Sequence, residues 1–127
     1  HGRMELQPGE FVCQIKVAGA YLTAPFMHVK KTTNEKIDYP LVNVSALMID
    51  GQLRVAFSGL CPFPFRSREM EGVLNDRTTL GERRVEKAAN LLPAPAVTDV
   101  EGSGEYRLFV MKNILLQILE RAKHDLV

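Results

Sequence analysis

The sequence predicts an α+β domain in which a three- to four-stranded antiparallel sheet is followed by three helices packed on one of its faces. Two patterns predict this class. Apolar residues alternate at period two in the first half of the chain, and they recur at helical spacing in the second half. Strands and helices that are segregated along the chain are typical of α+β folds. The length of 127 residues fits one domain.

The chain is predicted to form a single domain over residues 1–127. Within it, residues 1–5 resemble a tag remnant or a domain boundary, because His-Gly-Arg-Met carries no fold signal. Residues 6–37 are predicted to be lead-in strands, and residues 38–127 are predicted to form the core.

Two strands are predicted in the lead-in region. Phe11–Val17 alternates between apolar and polar side chains, and Gly19 and Pro25 then interrupt the pattern. Phe26–Lys31 is a second, weaker candidate. The polar stretch Thr32–Lys36 is predicted to be a loop.

A hairpin is the strongest local signal in the sequence. Leu41–Ile49 and Gln52–Ser58 both alternate, and Asp50-Gly51 lies between them. A type I′ turn needs positive φ at both central positions, which Asp-Gly supplies at low cost. Apolar residues on both sides of Leu41–Ile49 predict that this strand is covered on both faces.

Three helices are predicted after a proline-rich connector, Pro62-Phe63-Pro64, which is predicted to end the sheet. The predicted starts are an N-cap at Ser67, a capping box formed by Thr79 and Glu82, and a long terminal helix from about Gly104. The predicted apolar positions are Met70, Val73 and Leu74 in the first helix, Val85, Ala88, Ala89 and Leu92 in the second, and Leu108, Met111, Leu115, Ile118, Leu119, Ala122 and Leu126 in the third.

Charge and cysteine content exclude several classes of protein. The net charge of +1 argues against a nucleic-acid partner, which needs a strongly basic face, and no apolar run is long enough to span a membrane. Cys13 and Cys61 are predicted to be buried free thiols of a reducing compartment. No metal site is predicted, because His1, His28 and His124 supply no closely spaced ligand pair.

No catalytic residue is predicted. Ser103 lies between two glycines and is either a strained nucleophile or a helix N-cap; the N-cap is favoured because no strand precedes it. Glu69 and Glu71 are predicted to be solvated.

Four basic or titratable side chains are candidate binding residues. Lys30 and Lys31 form a local cluster that is either a solvated strand end or a contact for an anionic group such as a phosphate or a dinucleotide. His28 lies on the same side of its strand as Lys30, and a core or surface role is favoured over a general base. Arg66 either binds an anion or, as is favoured, bridges connector carbonyls and a helix carboxylate.

Four pieces of sequence carry a family resemblance through their order. They are Leu6–Glu10, Asp38–Ala46, Leu53–Ser67 followed by Glu71–Leu74, and Asp99–Arg107. Together they resemble the C-terminal domain of the FAD-binding (medium) subunit of molybdenum hydroxylases, which include xanthine dehydrogenases and the CO dehydrogenase flavoprotein. The resemblance covers residues 6–127 and is most specific in the P-x-P-x-R motif and the terminal S-x-E-Y-R motif.

The resemblance implies a cytoplasmic, xanthine dehydrogenase-like oxidoreductase that transfers electrons. In this family a substrate is oxidised at a molybdopterin cofactor, electrons pass through iron–sulfur clusters, and FAD delivers them to an acceptor. The implied partners are upstream FAD-binding domains and the molybdenum and iron–sulfur subunits, with no nucleic acid and no membrane. The glycine-rich loops that grip FAD in the family are absent from this sequence. We therefore expect a fragment that binds no FAD tightly and is inactive alone.

The resemblance also assigns roles to individual residues. A strand-borne lysine near the flavin corresponds to Lys30 or Lys31, with His28 as a third candidate, and Arg66, Tyr106 and Arg107 belong to the structural motif. The alternative is a stand-alone interaction module with no redox role, which would dock a partner through its Pro-Phe-Pro-Phe connector or its sheet edge.

Overall fold

A computed structural model of the chain describes residues 5–32 and 40–124. Several predictions from the sequence fall outside these ranges and are not tested by the structure. They concern the remnant at residues 1–4, the polar loop beyond Thr32, Asp38-Tyr39 of the family resemblance, and the apolar position Leu126.

The architecture confirms the predicted α+β class. One antiparallel sheet with the order β1-β2-β3-β4 carries its main helices on a single face. The strands are β1 (Phe26–Lys31), β2 (Val42–Ile49), β3 (Gln52–Ser58) and β4 (Phe65–Arg66). The helices are α1 (Gly19–Leu22), α2 (Arg68–Asn75), α3 (Gly81–Ala89) and α4 (Gly104–Ala122).

The hairpin between β2 and β3 forms as predicted. Asp50 and Gly51 have φ values of 53° and 69°, so both central positions of the turn lie in the left-handed region. The register that follows pairs Ile49 with Gln52 and places alternate residues of both strands on the same two faces.

The core lies between the sheet and helices α2 to α4. Every second residue of β2 and β3 points into it, and the apolar stripes of the three helices cover these residues. The buried core positions are Val42, Val44, Ala46, Met48, Leu53, Val55 and Phe57 from the sheet and Met70, Leu74, Val85, Ala88, Met111, Ile114, Leu115, Ile118 and Leu119 from the helices.

The strand predicted at Phe11–Val17 is wrong. This segment has no regular structure, and its apolar side chains are exposed, with Phe11 at 79% and Ile15 at 85% of full exposure. Alternation alone does not make a strand, since a strand also needs a hydrogen-bonding partner, and among the described residues β1 pairs only with β2. Cys13 lies in this segment and is exposed, so only the prediction of a buried Cys61 is confirmed.

The sheet also continues beyond the connector that was predicted to end it. After the two prolines, β4 pairs with β3 through Ala56–Arg66 and Phe57–Phe65, and the rings of Phe57 and Phe65 stack with centroids 5.0 Å apart. The extended backbone that prolines impose is compatible with a short edge strand, because the edge needs no complete hydrogen-bond ladder.

Two of the three predicted helix caps are confirmed. The hydroxyls of Ser67 and Ser103 accept hydrogen bonds from the N–H groups three residues later. The capping box at Thr79 is wrong: α3 has Leu80 as its N-cap residue without a side-chain cap, and the Thr79 hydroxyl donates to Asp76 Oδ2 at 2.8 Å. Because the Thr79 hydroxyl is hydrogen-bonded to the nearby Asp76 carboxylate, it does not cap α3.

Arg107 ties the start of α4 to the sheet. Its side chain is buried, with 3% exposure, and its Nη1 donates to the carbonyls of Leu41 and Gly59 at 2.5 and 2.7 Å. Its Nη2 donates to Asp99 Oδ1 at 2.6 Å. The two carbonyls lie just before β2 and just after β3, so one guanidinium fixes the end of the sheet that faces α4.

We expect Arg107→Lys to destabilise the protein by about 2–4 kcal/mol, because an ammonium does not reproduce the fixed fork and leaves buried carbonyls unsatisfied. Urea unfolding followed by circular dichroism measures the change. Arg121→Lys, at the exposed end of the same helix, is the control and should change stability by less than about 0.5 kcal/mol. Equal effects of the two substitutions would contradict the role given to Arg107.

Candidate functional site

The sheet face turned away from α2 to α4 carries the candidate site and is called here the open face. Its outward positions alternate with the buried ones and are exposed or half-buried. They are Phe26, His28 and Lys30 on β1, Asn43, Ser45, Leu47 and Ile49 on β2, Gln52, Arg54, Ala56 and Ser58 on β3, and Arg66 on β4. None of these side chains is acidic.

The prediction that β2 is covered on both faces is wrong, since Ser45 on the open face is exposed.

A polar row crosses the sheet at His28. The register places Ser45 opposite His28, Ala56 opposite Ser45, and Arg66 opposite Ala56. His28 Nδ1 and Ser45 Oγ are hydrogen-bonded at 2.8 Å. Ser45 and Ala56 have small side chains, so the middle of this row forms a shallow depression. The basic side chains of His28 and Arg66 lie at its two ends.

The structure separates the two lysines of the predicted cluster. Lys30 lies on the open face opposite Asn43, two positions from His28, whereas Lys31 is paired with Val42 at a position on the helix side. Both lysines are exposed. The geometry thus groups Lys30 with His28 and leaves Lys31 apart.

Arg54 and Tyr21 are part of the site and were not predicted. Arg54 Nη1 donates to the Tyr21 hydroxyl at 2.7 Å, and the guanidinium carbon lies 5.7 Å from the ring centroid. This contact packs α1 against the open face. An arginine in the middle of an alternating strand is a signal for an outward charge, but its aromatic partner lies 33 positions away and has no sequence motif.

Arg66 forms a bidentate ion pair with Glu71 of α2. The Nε–Oε1 and Nη2–Oε2 distances are 2.6 and 2.8 Å. Arg66 was predicted to bridge connector carbonyls and a helix carboxylate, and the contact with the helix carboxylate is confirmed. The prediction that Glu71 is solvated is wrong: its exposed fraction is 7%, because β4 brings Arg66 onto it.

Glu71 also protects the edge of β3 where β4 is too short to do so. Its Oε1 accepts from the Val55 N–H at 2.9 Å, and Asn75 exchanges two hydrogen bonds with the Leu53 backbone. Side chains of α2 thus replace a missing strand and block edge-to-edge pairing there.

The surroundings of Glu71 keep it ionised. Burial raises the pKa of its carboxyl, but the hydrogen bonds from Arg66 and the Val55 N–H and the charges of Arg66 and Arg54 outweigh burial and lower the pKa below its usual value. At neutral pH Arg66 and Arg54 thus share the single negative charge of Glu71, and Lys30 has no ion pair among the described residues.

The remaining candidates have structural roles or no contact with this face. Tyr106 is half exposed and stacks on Phe109 with ring centroids 6.4 Å apart, and Arg107 is buried. The Ser103 hydroxyl caps α4. Within residues 5–32 and 40–124, no group of three or more His, Cys, Asp or Glu side chains is placed to hold a metal ion. No helix in the same ranges has both the length and the apolar character to cross a membrane.

Solved structures of oxidoreductases contain this fold. Quinoline 2-oxidoreductase from Pseudomonas putida 86 matches with a TM-score of 0.63 and 21% identity over 83% of this chain and 39% of that one. A cyanide-inactivated Cu,Mo-CO dehydrogenase gives 0.58 and 21% over 80% and 38%. Carbon monoxide dehydrogenase from Hydrogenophaga pseudoflava that lacks the Mo-pyranopterin moiety gives 0.62 and 16% over 86% and 39%.

The chain shares the fold of a domain of these oxidoreductases. It spans about two fifths of the length of the chains it matches. No protein-family model matches the sequence, and no curated protein is detectably similar to it. The likeness therefore rests on the arrangement of strands and helices.

We expect Glu71→Gln to lower stability at pH 7 by about 1–3 kcal/mol, because Arg66 loses its counter-charge and a buried acceptor becomes weaker. The pKa of Glu71 is depressed in the folded state, so its contribution is present above the unfolded pKa and is lost as pH falls through the folded pKa. Urea unfolding at a series of pH values from 7 down to about 3 should show a steeper loss in the wild type than in the variant.

Glu69→Gln is the matched control, since Glu69 is an exposed carboxylate on the same helix. It should leave the pH profile of stability close to that of the wild type. Parallel profiles for the wild type and Glu71→Gln would refute the assigned ion pair.

Proposed function

We propose that the chain is the accessory C-terminal domain of an FAD-binding subunit in a molybdopterin-dependent, xanthine dehydrogenase-like oxidoreductase of the cytoplasm. In this role it helps to form the flavin and acceptor region and contacts neighbouring domains and subunits. The open face is the observation that supports the proposal, in combination with a fold that occurs in oxidoreductases.

The charge of the open face favours an anionic or electron-rich occupant. Lys30 and Arg54 have no carboxylate among the outward residues, and Glu71 is already neutralised by Arg66. A sheet face that only meets water normally mixes both signs of charge. The open face has basic side chains, no acidic side chain at its outward positions, and half-buried apolar residues such as Leu47. This combination suits a flat aromatic group that carries negative charge.

The N-terminal segment favours a covering domain. Phe11, Ile15 and Val17 are exposed on one short stretch, although their alternation is typical of a strand in a sheet. A strand of a neighbouring domain would supply the missing partner and bury these side chains. The matched chains have three fifths of their length outside the shared fold, which leaves room for such a domain.

The residues fit one side of an FAD site and not the whole of it. FAD, when bound, supplies the electron-transfer chemistry. In this chain Lys30 and His28 would offer positive charge or a hydrogen bond to it, and the open face would exclude water from it. The glycine-rich turn Gly102–Gly104 precedes α4 on the helix side of the sheet, and its Ser103 hydroxyl caps that helix, so upstream domains would grip the cofactor.

The test uses the complete assembly purified from its source, with Lys30→Glu and Lys31→Glu as a matched pair. We expect Lys30→Glu to weaken flavin retention about tenfold, because it reverses a charge on the open face, whereas Lys31→Glu should retain flavin like the wild type. Flavin absorbance gives the FAD content per chain, and elemental analysis gives molybdenum and iron.

An assembly that contains neither flavin nor molybdenum would overturn the proposal. That outcome would favour the second candidate, a stand-alone interaction module. One supporting observation is that Phe63 in the Pro-Phe-Pro-Phe connector is 44% exposed. The other is the outer edge of β1, the edge away from β2, which pairs with no strand among the described residues.

A further inference from the structure

A cleft opens on the helix side of the sheet, at the end where the β2–β3 hairpin turns. Its volume of about 420 Å³ is in the range of sites for small molecules. Core residues form its floor, chiefly Met48, Leu53 and Leu119. This hairpin-end cleft lies on the face opposite the proposed flavin region, so it is independent of the proposed function.

Three cationic side chains from three different segments line the hairpin-end cleft. They are Arg77 from the loop after α2, Arg84 from α3, and Lys123 at the end of α4. The described residues of the lining include no carboxylate. The cleft thus combines an apolar floor with a positively charged rim.

Contacts within the described chain leave much of this positive charge uncompensated. Arg77 makes one long hydrogen bond, 3.4 Å to the Gly51 carbonyl. Arg84 donates to the Leu74 carbonyl through Nη1, while its Nε is buried and has no acceptor among the described residues. Lys123 pairs with Glu120, but both side chains are at least 60% exposed, and such pairs are weak.

Helix dipoles explain only part of this arrangement. Helices α2 and α4 both end at the cleft, and each C-terminus carries about half a negative charge. Two such ends amount to about one negative charge, and the exposed Glu120 supplies another beside Lys123, against three cations. An anionic ligand would supply the remaining counter-charge.

We infer that the hairpin-end cleft binds a small amphipathic monocarboxylate. The apolar chain of the ligand would cover Met48, Leu53 and Leu119, and its carboxylate would accept hydrogen bonds from Arg77, Arg84 and Lys123 at the rim. Arginine forks bind carboxylates with defined geometry. Only the edges of the buried floor residues are exposed in the cleft, and a compact polyanion such as phosphate would leave these apolar edges in contact with water. The lining therefore favours a ligand with both an apolar and an anionic part.

The experiment titrates the chain with octanoate and follows backbone amide signals by two-dimensional NMR. The signals of Asn75 and Ala122 should shift with a saturable dependence on octanoate. Octylamine, which has the same apolar chain and the opposite charge, should cause no saturable shift at these residues.

The double substitution Arg77→Gln with Lys123→Gln should weaken octanoate binding about tenfold, because it removes two of the three rim charges. Arg68→Gln with Arg83→Gln is the matched control, since it removes the same charge at exposed positions outside the lining and should change the affinity less than about twofold. Added salt should weaken binding by the wild type more than binding by the rim variant.

A second variant tests the floor without touching the charges. Ala122→Met fills the cleft from its lining and should abolish the shift at Asn75, while thermal unfolding reports that the fold is retained. Octanoate binding that is unchanged in both the rim variant and Ala122→Met would overturn the inference. So would equal binding of octylamine, or shifts confined to the open face.

Discussion

The buried guanidinium of Arg107 is the contact on which the arrangement of sheet and helices depends. It holds the carbonyls of Leu41 and Gly59, which flank the same end of the β2–β3 pair, and the carboxylate of Asp99 before α4. Gly59 has φ of 78°, and a Cβ at this position would lie 2.8 Å from the Pro40 carbonyl oxygen. The chain therefore needs glycine there to bring both carbonyls to one side chain.

This anchor has consequences along the full length of α4. Once its first turns are fixed over one end of the sheet, the helix runs toward the hairpin, and its apolar stripe meets the inward residues of β2. Helices α2 and α3 fill the rest of that face, and Glu71 and Asn75 close the edge of β3. The helical layer thus covers one side of the sheet, and of the described helices α1 is the one that contacts the opposite face.

The parts of the fold that could be predicted from sequence are those set by neighbouring residues. The Asp50-Gly51 turn and the caps at Ser67 and Ser103 depend on contacts within three residues, and all three form as predicted. Contacts between residues far apart in the sequence were missed, because no local pattern marks them. Arg107, for example, donates to a carbonyl 66 positions away. The same limit applies to the site: alternation placed His28 and Lys30 on one side, whereas Arg54 with Tyr21 required the folded chain.

The net charge of +1 hides an uneven distribution, and this bears on both proposed sites. Arg66 forms an ion pair with Glu71, and Arg107 forms one with Asp99. These two pairs stabilise the fold and leave no net charge at their positions. Acidic side chains are absent from the outward positions of the open face and from the described lining of the hairpin-end cleft. The described residues of a chain that is nearly neutral as a whole therefore present two cationic surfaces on opposite sides of one sheet. Total charge argues against a long polyanion such as nucleic acid, but it does not argue against small anions bound at local sites.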